Sequence, residues 1–301
     1  MPEQVMTGVS LVCVGNLTID EAVHGGTRSE PAIGGDAAYA ALAARLVIDD
    51  VRMLAPVGND FPAPILDSLR ARGVHADELP ARDIATVRNI VTYHADGSRT
   101  WKMLTSEEEF DALSVYPSDV PAGLLSCDGM MLSAMSLDSQ LALTPWLRAN
   151  TTATLYLDLQ EDYLEGNREA LFGIIAACDV FLPSEIEAVT LAGTTDLAAA
   201  ARLFQALGPS IVVIKRAENG SIVLDGETLT EVPAETVVPV DSTGAGDAYC
   251  GAFAATHLLT DDAVEAARAA SRAARVAIGA FGITGLLDAA AREPQVSESR
   301  A

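Results

Sequence analysis

Val240-Asp241-Ser242-Thr243-Gly244-Ala245-Gly246-Asp247-Ala248-Tyr249-Cys250-Gly251-Ala252-Phe253 reads as a turn that runs into a helix. Pro239 and the glycines break what precedes it. From Ala248 to Leu259 the residues are mostly small and apolar, as a buried helix requires. Gly244 and Gly246 lack a Cβ, so a ligand can approach the backbone closely there. The amides of Gly244, Ala245 and Gly246 then open the helix as an anion-binding N-terminus. One carboxylate, Asp247, stands at the same place, where it repels phosphate. It has two readings. It is a capping or first-turn acid, or it is a general base that takes the proton of a substrate hydroxyl while the amides hold the phosphoryl group under attack.

Two other phosphate motifs are excluded. A Walker loop needs Gly-Lys before Ser or Thr, and the chain contains no Gly-Lys pair. A dinucleotide fingerprint starting at Gly244 needs its third glycine at position 249, which is Tyr249.

Asp241-Ser242-Thr243-Gly244-Ala245-Gly246-Asp247 resembles the carboxy-terminal signature of the ribokinase (PfkB-type) family of sugar and nucleoside kinases. The resemblance implies Asp247 as catalytic base and Gly244, Ala245 and Gly246 as anion hole. It also implies an α/β fold, a ribokinase-like three-layer sandwich with a mainly parallel central sheet and a small β-sheet lid. Residues 1–301 form one kinase domain on this reading, with lid elements at about 17–33 and 84–106.

Gly34-Gly35-Asp36-Ala37-Ala38-Tyr39 leads into an Ala-rich helix, and the two glycines with Asp36 make good N-cap chemistry. The stretch resembles the family's amino-terminal signature, Gly-Gly-Asn with a second Asn three residues on. Both asparagines are changed here, to Asp36 and Tyr39, which leaves the kinase expectation standing and makes ribokinase activity itself a poorer fit. Ionised Asp36 accepts hydrogen bonds but donates none, and Tyr39 adds an apolar face and one hydroxyl. The apolar run Val9–Val14 is a buried parallel strand, and Asp20 lies just past its C-terminal end, where α/β sheets bind ligands. Asp20, Gly34, Gly35, Asp36 and Tyr39 are therefore the substrate-binding set that the resemblance implies.

Residues 84–104 are β-rich around Asp96-Gly97, a hairpin signal with no long helix between. The acidic run Glu107-Glu108-Glu109 reads as a solvated face. Strands and helices then alternate: strands at 129–132, 154–157, 180–182 and 211–215, helices at 140–148, 168–177 and 198–207. That is the pattern of a parallel sheet covered on both faces. Ser184 and Glu187 form a capping box; in the family the Glu positions magnesium, largely through water. Lys215 ends a strand that lines the family's ATP site, and its charge either meets ATP phosphates or leaves for water. Ser184, Lys215 and Thr243 are the implied ATP-binding set, with ATP and Mg2+ as cofactors. Asp241 and Thr243 match positions near a monovalent-cation site in some family members, which implies potassium as an activator. Asp262–Phe281 is a long helix pattern, Gly282–Gly285 a loop, and the tail after Glu293 polar and frayed.

Composition bounds the partners. The formal net charge is -23, with only two lysines, Lys102 and Lys215. Such a surface repels nucleic acid and anionic membranes. Four scattered cysteines and no long apolar run fit a cytoplasmic protein without zinc or a membrane span. The expected activity is ATP-dependent phosphorylation of a hydroxyl of a small sugar. The alternatives are a nucleoside acceptor with its base packed on Tyr39, and a kinase-like protein that binds sugar without turnover; the intact Asp247 speaks against the latter. A homodimer through the lid is the expected assembly.

Overall fold

The computed structural model describes residues 8–28, 31–77, 79–94, 99–235 and 237–291. Its centre is a nine-stranded sheet. From one edge to the other run Thr228–Val232, Ser221–Asp225, Ile211–Lys215, Val180–Phe181, Thr154–Leu157, Gly129–Leu132, Ser10–Val14, Asp50–Leu54 and Val74–His75. Ile211–Lys215 and every strand beyond it pair in parallel; the first two strands are antiparallel additions. The expected alternation of strands and helices is thus what forms.

Successive residues of a strand point to opposite faces. In Ser10–Val14, Leu11 and Cys13 join one hydrophobic cluster while Val12 and Val14 join the other. Helices Asp36–Arg45, Ala245–Thr260 and Ala263–Ile278 cover the first face. Leu137–Asn150, Arg168–Ile175 and Leu197–Gln205 cover the second. Two covered faces make the three layers that the sequence implies.

A second, five-stranded sheet stands apart. Arg99–Met103 pairs antiparallel with Val87–Tyr93, which pairs in parallel with Thr18–His24. Thr27–Arg28 and Ala32–Gly34 add to Thr18–His24. The β-rich residues after 84 therefore extend this small sheet, not the main one. Asp20 lies inside one of its strands, not in a loop. The Asp96-Gly97 turn and the tail after Glu293 lie outside the described residues. Glu107, Glu108 and Glu109 are exposed, as expected of a solvated face, and they open a short helix, Glu107–Ala112, capped by Ser106 with Glu109. One local expectation is corrected: Gly282–Gly285 is a loop only at its start, because a helix begins at Thr284. No helix among the described residues is long and apolar enough to cross a membrane.

Two helices on the first face approach without side chains between them. A Cβ on Gly251 would lie 2.0 Å from the Ala40 carbonyl oxygen. Gly251→Ala should therefore destabilise the fold by about 1–3 kcal/mol, as overpacking does. Gly173 is the control: it sits mid-helix, and a Cβ there meets nothing within 4 Å. Gly173→Ala should be neutral or stabilise by up to about 1 kcal/mol. Urea unfolding of the two variants checks both signs.

Candidate active site

The Ala245–Thr260 helix opens at Gly244, whose φ of 71° is left-handed. Glycine suits that conformation, and no side chain caps the helix there. A Cβ on Gly244 would also lie 2.3 Å from the Tyr39 ring. The first amides of the helix thus receive no cap from a side chain of the N-cap residue.

Two cavities meet at this helix start. The first, about 650 Å³, is reached by Thr243, Gly244 and Asp247. The second, about 1220 Å³, is reached by Ser242, Ala245 and Gly246. The turn and its amides thus form a wall with a ligand-sized space on each side.

The first cavity gathers Asp20, Gly35, Asp36 and Tyr39 of the substrate set, and Gly34 lies against Asp20 outside its lining. Asp20 Oδ1 accepts hydrogen bonds from Thr18 Oγ1 (2.8 Å) and Asn89 Nδ2 (2.9 Å). Gly34 makes room for it, since a Cβ there would lie 1.8 Å from Asp20 Oδ2. Burial, and then the charge of Asp241, raise the Asp20 pKa against these hydrogen bonds. Asp36 is not an N-cap. Gly35 caps the helix with φ 97°, and Asp36 is its first residue. Asp36 Oδ1 accepts from the amides of Asn16 (2.6 Å) and Ala37 (2.9 Å). Burial, reinforced by the Asp247 charge, pushes Asp36 well above the usual carboxylate range. An Asp held neutral can donate a hydrogen bond, which an ionised one cannot.

Tyr39 is 1% exposed and gives its ring to Gly244. The ring face expected for stacking a base is already covered. Its hydroxyl has no partner, and neither do the buried Oδ1 atoms of Asn16 and Asn89. All three residues line the first cavity. Sequence reasoning missed Asn16 and Asn89, which lie in no motif and meet only through the fold. Eight carboxylate side chains line this cavity, with no lysine or arginine among them. Arg88 is not free to bind a phosphate: it pairs with Asp60 at 2.6 Å. Burial alone would raise the Asp60 pKa, but the Thr86 amide and Arg88 hold it at about 2.

The second cavity gathers Asp158, Ser184, Glu187 and Lys215. The capping box is present: Glu187 N donates to Ser184 Oγ (3.2 Å), and Ser184 N donates to Glu187 Oε2 (2.7 Å). Lys215 does not leave for water. It is buried on Asp158 Oδ2 at 2.5 Å, with Cys250 Sγ at 3.3 Å. Burial alone would lower the lysine pKa, and the charges of Asp158 and its neighbours raise it instead. Asp158, the partner that fixes this lysine, was also missed. Burial and the Asp158 charge raise Glu187 to about 8. A cation beside this pair of carboxylates would relieve that cost. Among the described residues no group of three or more His, Cys, Asp or Glu could hold a metal by itself. Mg2+ is in general bound through one or two carboxylates plus water and phosphate.

Asp241 faces neither cavity's lining. Its Oδ1 accepts from Tyr93 OH and from Thr243 N (2.9 Å), and its Oδ2 from Gly282 N (3.1 Å).

Residues 10–290 match the model of the pfkB family carbohydrate kinases. The chain belongs to that family. It is a kinase of the carbohydrate-kinase type. The cytidine kinase of Thermococcus kodakarensis is 31% identical over 255 residues, covering 82% of this chain and 88% of the relative. An E. coli protein described as a ribokinase II, in complex with ATP and Mg2+, superposes with a TM-score of 0.78 at 21% identity, over 93% of this chain and 97% of its own. A Vibrio cholerae fructokinase double mutant in fructose-, ADP- and potassium-bound form gives a TM-score of 0.78 at 21% identity, over 95% and 99%. The two structures share this PfkB kinase's fold.

Burial and the Asp158 charge, partly offset by Lys215, raise Asp247 to about 6. A carboxyl group whose folded pKa exceeds its unfolded value favours the fold while protonated, and that advantage is lost as pH rises. Asp247→Asn should therefore stabilise the protein by about 3 kcal/mol above pH 6, and the gain should vanish below about pH 4. Urea unfolding of both proteins across that range checks the sign.

Proposed function

We propose that this PfkB kinase transfers the γ-phosphoryl group of ATP to a hydroxyl of a small, uncharged sugar or sugar-like alcohol. The observation that carries this is the wall: Asp247 lines one cavity, and Ala245 and Gly246, at the uncapped start of the helix, line the other. The acceptor sits in the first cavity, where Asp20, Asp36 and the unpartnered Asn16, Asn89 and Tyr39 atoms meet its hydroxyls. Gly34 and Gly35 shape its floor. Asp247 takes the proton of the attacking hydroxyl. The amides of Gly244, Ala245 and Gly246 steady the charge on the group in transfer.

The nucleotide sits in the second cavity. Ser184 and Lys215 stand on its phosphate side in this reading, whereas Thr243, expected there from the sequence, lines the first cavity at the wall between the two. Glu187, largely through water, would hold Mg2+ against the ATP phosphates, and the ion would neutralise phosphate charge there. The relative crystallised with ATP and Mg2+ supports this choice. Thr18–His24, Val87–Tyr93 and Arg99–Met103 act as a lid that excludes water within a single kinase domain. Dimerisation through the edge strand Arg99–Met103 belongs to the same reading. The buried free thiols suit a reducing cytoplasm.

A second reading is favoured by the far side of the first cavity. Val87, Met103, Phe110, Met135 and Leu137 give it an apolar surface beyond the acids. A nucleoside would place its ribose on the acids and its base there, and the cytidine kinase relative agrees with that choice. Neither reading admits a phosphorylated acceptor, which eight carboxylates would repel.

ADP release over a panel of sugars, nucleosides and sugar phosphates tests both. Turnover is expected on uncharged acceptors and not on sugar phosphates; binding without turnover anywhere would sink the proposal. Asp247→Asn should lower kcat by about 10²–10⁴. The wild-type rate should climb with pH through about 6, the Asp247 value, and level off above it.

A further inference from the structure

Asp241 opens the turn that carries the anion-hole amides, and the family resemblance places a potassium site beside it. The residues present do not fit that ion. An ionised carboxylate is an acceptor with about four lone-pair sites. Here donors take them: Tyr93 OH and Thr243 N on Oδ1, Gly282 N on Oδ2, and the Thr243 hydroxyl as well. Burial alone would raise the Asp241 pKa, yet these donors bring it below the usual range, so its charge is already compensated. Oxygen lone pairs are what a hard cation binds. Hydrogens aimed at the same lone pairs exclude it.

Tyr93 is the unusual donor. It ends strand Val87–Tyr93 of the small sheet, 148 residues from Asp241 in sequence. Its ring also meets Phe281 edge-on, with centroids 6.2 Å apart. Val240 N donates to Ile278 O (2.8 Å), so the turn hangs from the end of the Ala263–Ile278 helix as well. The small sheet, the turn and the 278–282 segment thus converge on one carboxylate. The ring of Tyr39 lies against Gly244 at the other end of the turn.

We propose that the Tyr93 hydroxyl takes the place of a monovalent cation at Asp241, and that Tyr93 is a positioning residue that ties the lid to the anion-hole turn and makes the enzyme independent of potassium. The positioning role rests on the reading of residues 244–246 as the phosphate cradle. The exclusion of the cation stands on the Asp241 geometry alone.

Thermal unfolding tests the cation claim without any substrate. Potassium is titrated against choline at constant ionic strength. A cation that binds the native state raises Tm along a saturating curve. Wild type should show no saturating rise, and Tyr93→Phe, which removes the hydroxyl and keeps the ring, should show one. A saturating rise in wild type overturns the proposal, as does a flat response in Tyr93→Phe. If the acceptor panel yields a substrate, wild-type kcat should be equal in potassium and choline. Tyr93→Phe should lose about tenfold in kcat in choline, with the acceptor KM within about twofold, and potassium should restore part of it. An unchanged kcat in Tyr93→Phe overturns the positioning role. An enzyme inactive on the whole panel overturns the kinase reading instead, and leaves the unfolding result to judge the cation claim.

Discussion

The close approach of two helices is the constraint from which the site follows. Asp36–Arg45 is rich in alanine and Ala245–Thr260 in alanine and glycine, and at Gly251 they meet almost backbone to backbone. Gly251 lies against the Ala40 carbonyl, and Gly244 lies under the Tyr39 ring. Larger residues at either glycine would force the helices apart. Both helices begin at the same end of the sheet, beyond the C-terminal end of Ser10–Val14. Their first turns therefore bring Asp36 and Asp247 within electrostatic reach of each other. Two acids so placed cannot both ionise cheaply. Burial and the Asp247 charge both disfavour the ionised form of Asp36, and in the proposed reading Asp247 is the acid that serves as base.

The sequence was most informative where a residue type has one backbone consequence. The glycines of the 244–246 turn, the Ser184–Glu187 box and the strands at 129–132, 154–157 and 211–215 are local features, and they form as read. Errors arose where a residue's partner is distant in the chain. Asp36 looked like a cap because its neighbours suit one, but its partner is the Asn16 amide, twenty residues away. Lys215 was placed between phosphate and water, whereas its partner is Asp158, 57 residues away. Asn89 carries no signal of its own. It matters because strand pairing lays it beside Asp20. The helix at Thr284–Ala290 is short and carries no side-chain cap, so nothing local announced it.

The buried charges differ on either side of the wall. Beside the second cavity, Lys215 is locked onto Asp158, and Glu187 carries a raised pKa. On the proposed reading a bound cation relieves that cost and so favours the state with metal and nucleotide present. Among the described residues the first cavity is lined by no lysine or arginine, so on the same reading the acceptor is recognised by the unpartnered oxygens and the acids.

The acid-lined first cavity has a consequence for the end of the cycle. On the proposed reading an alcohol enters it without charge and departs as a phosphate monoester bearing close to two negative charges. The carboxylates that line the cavity would then push the modified guest outward. Eviction is, on that reading, written into the walls.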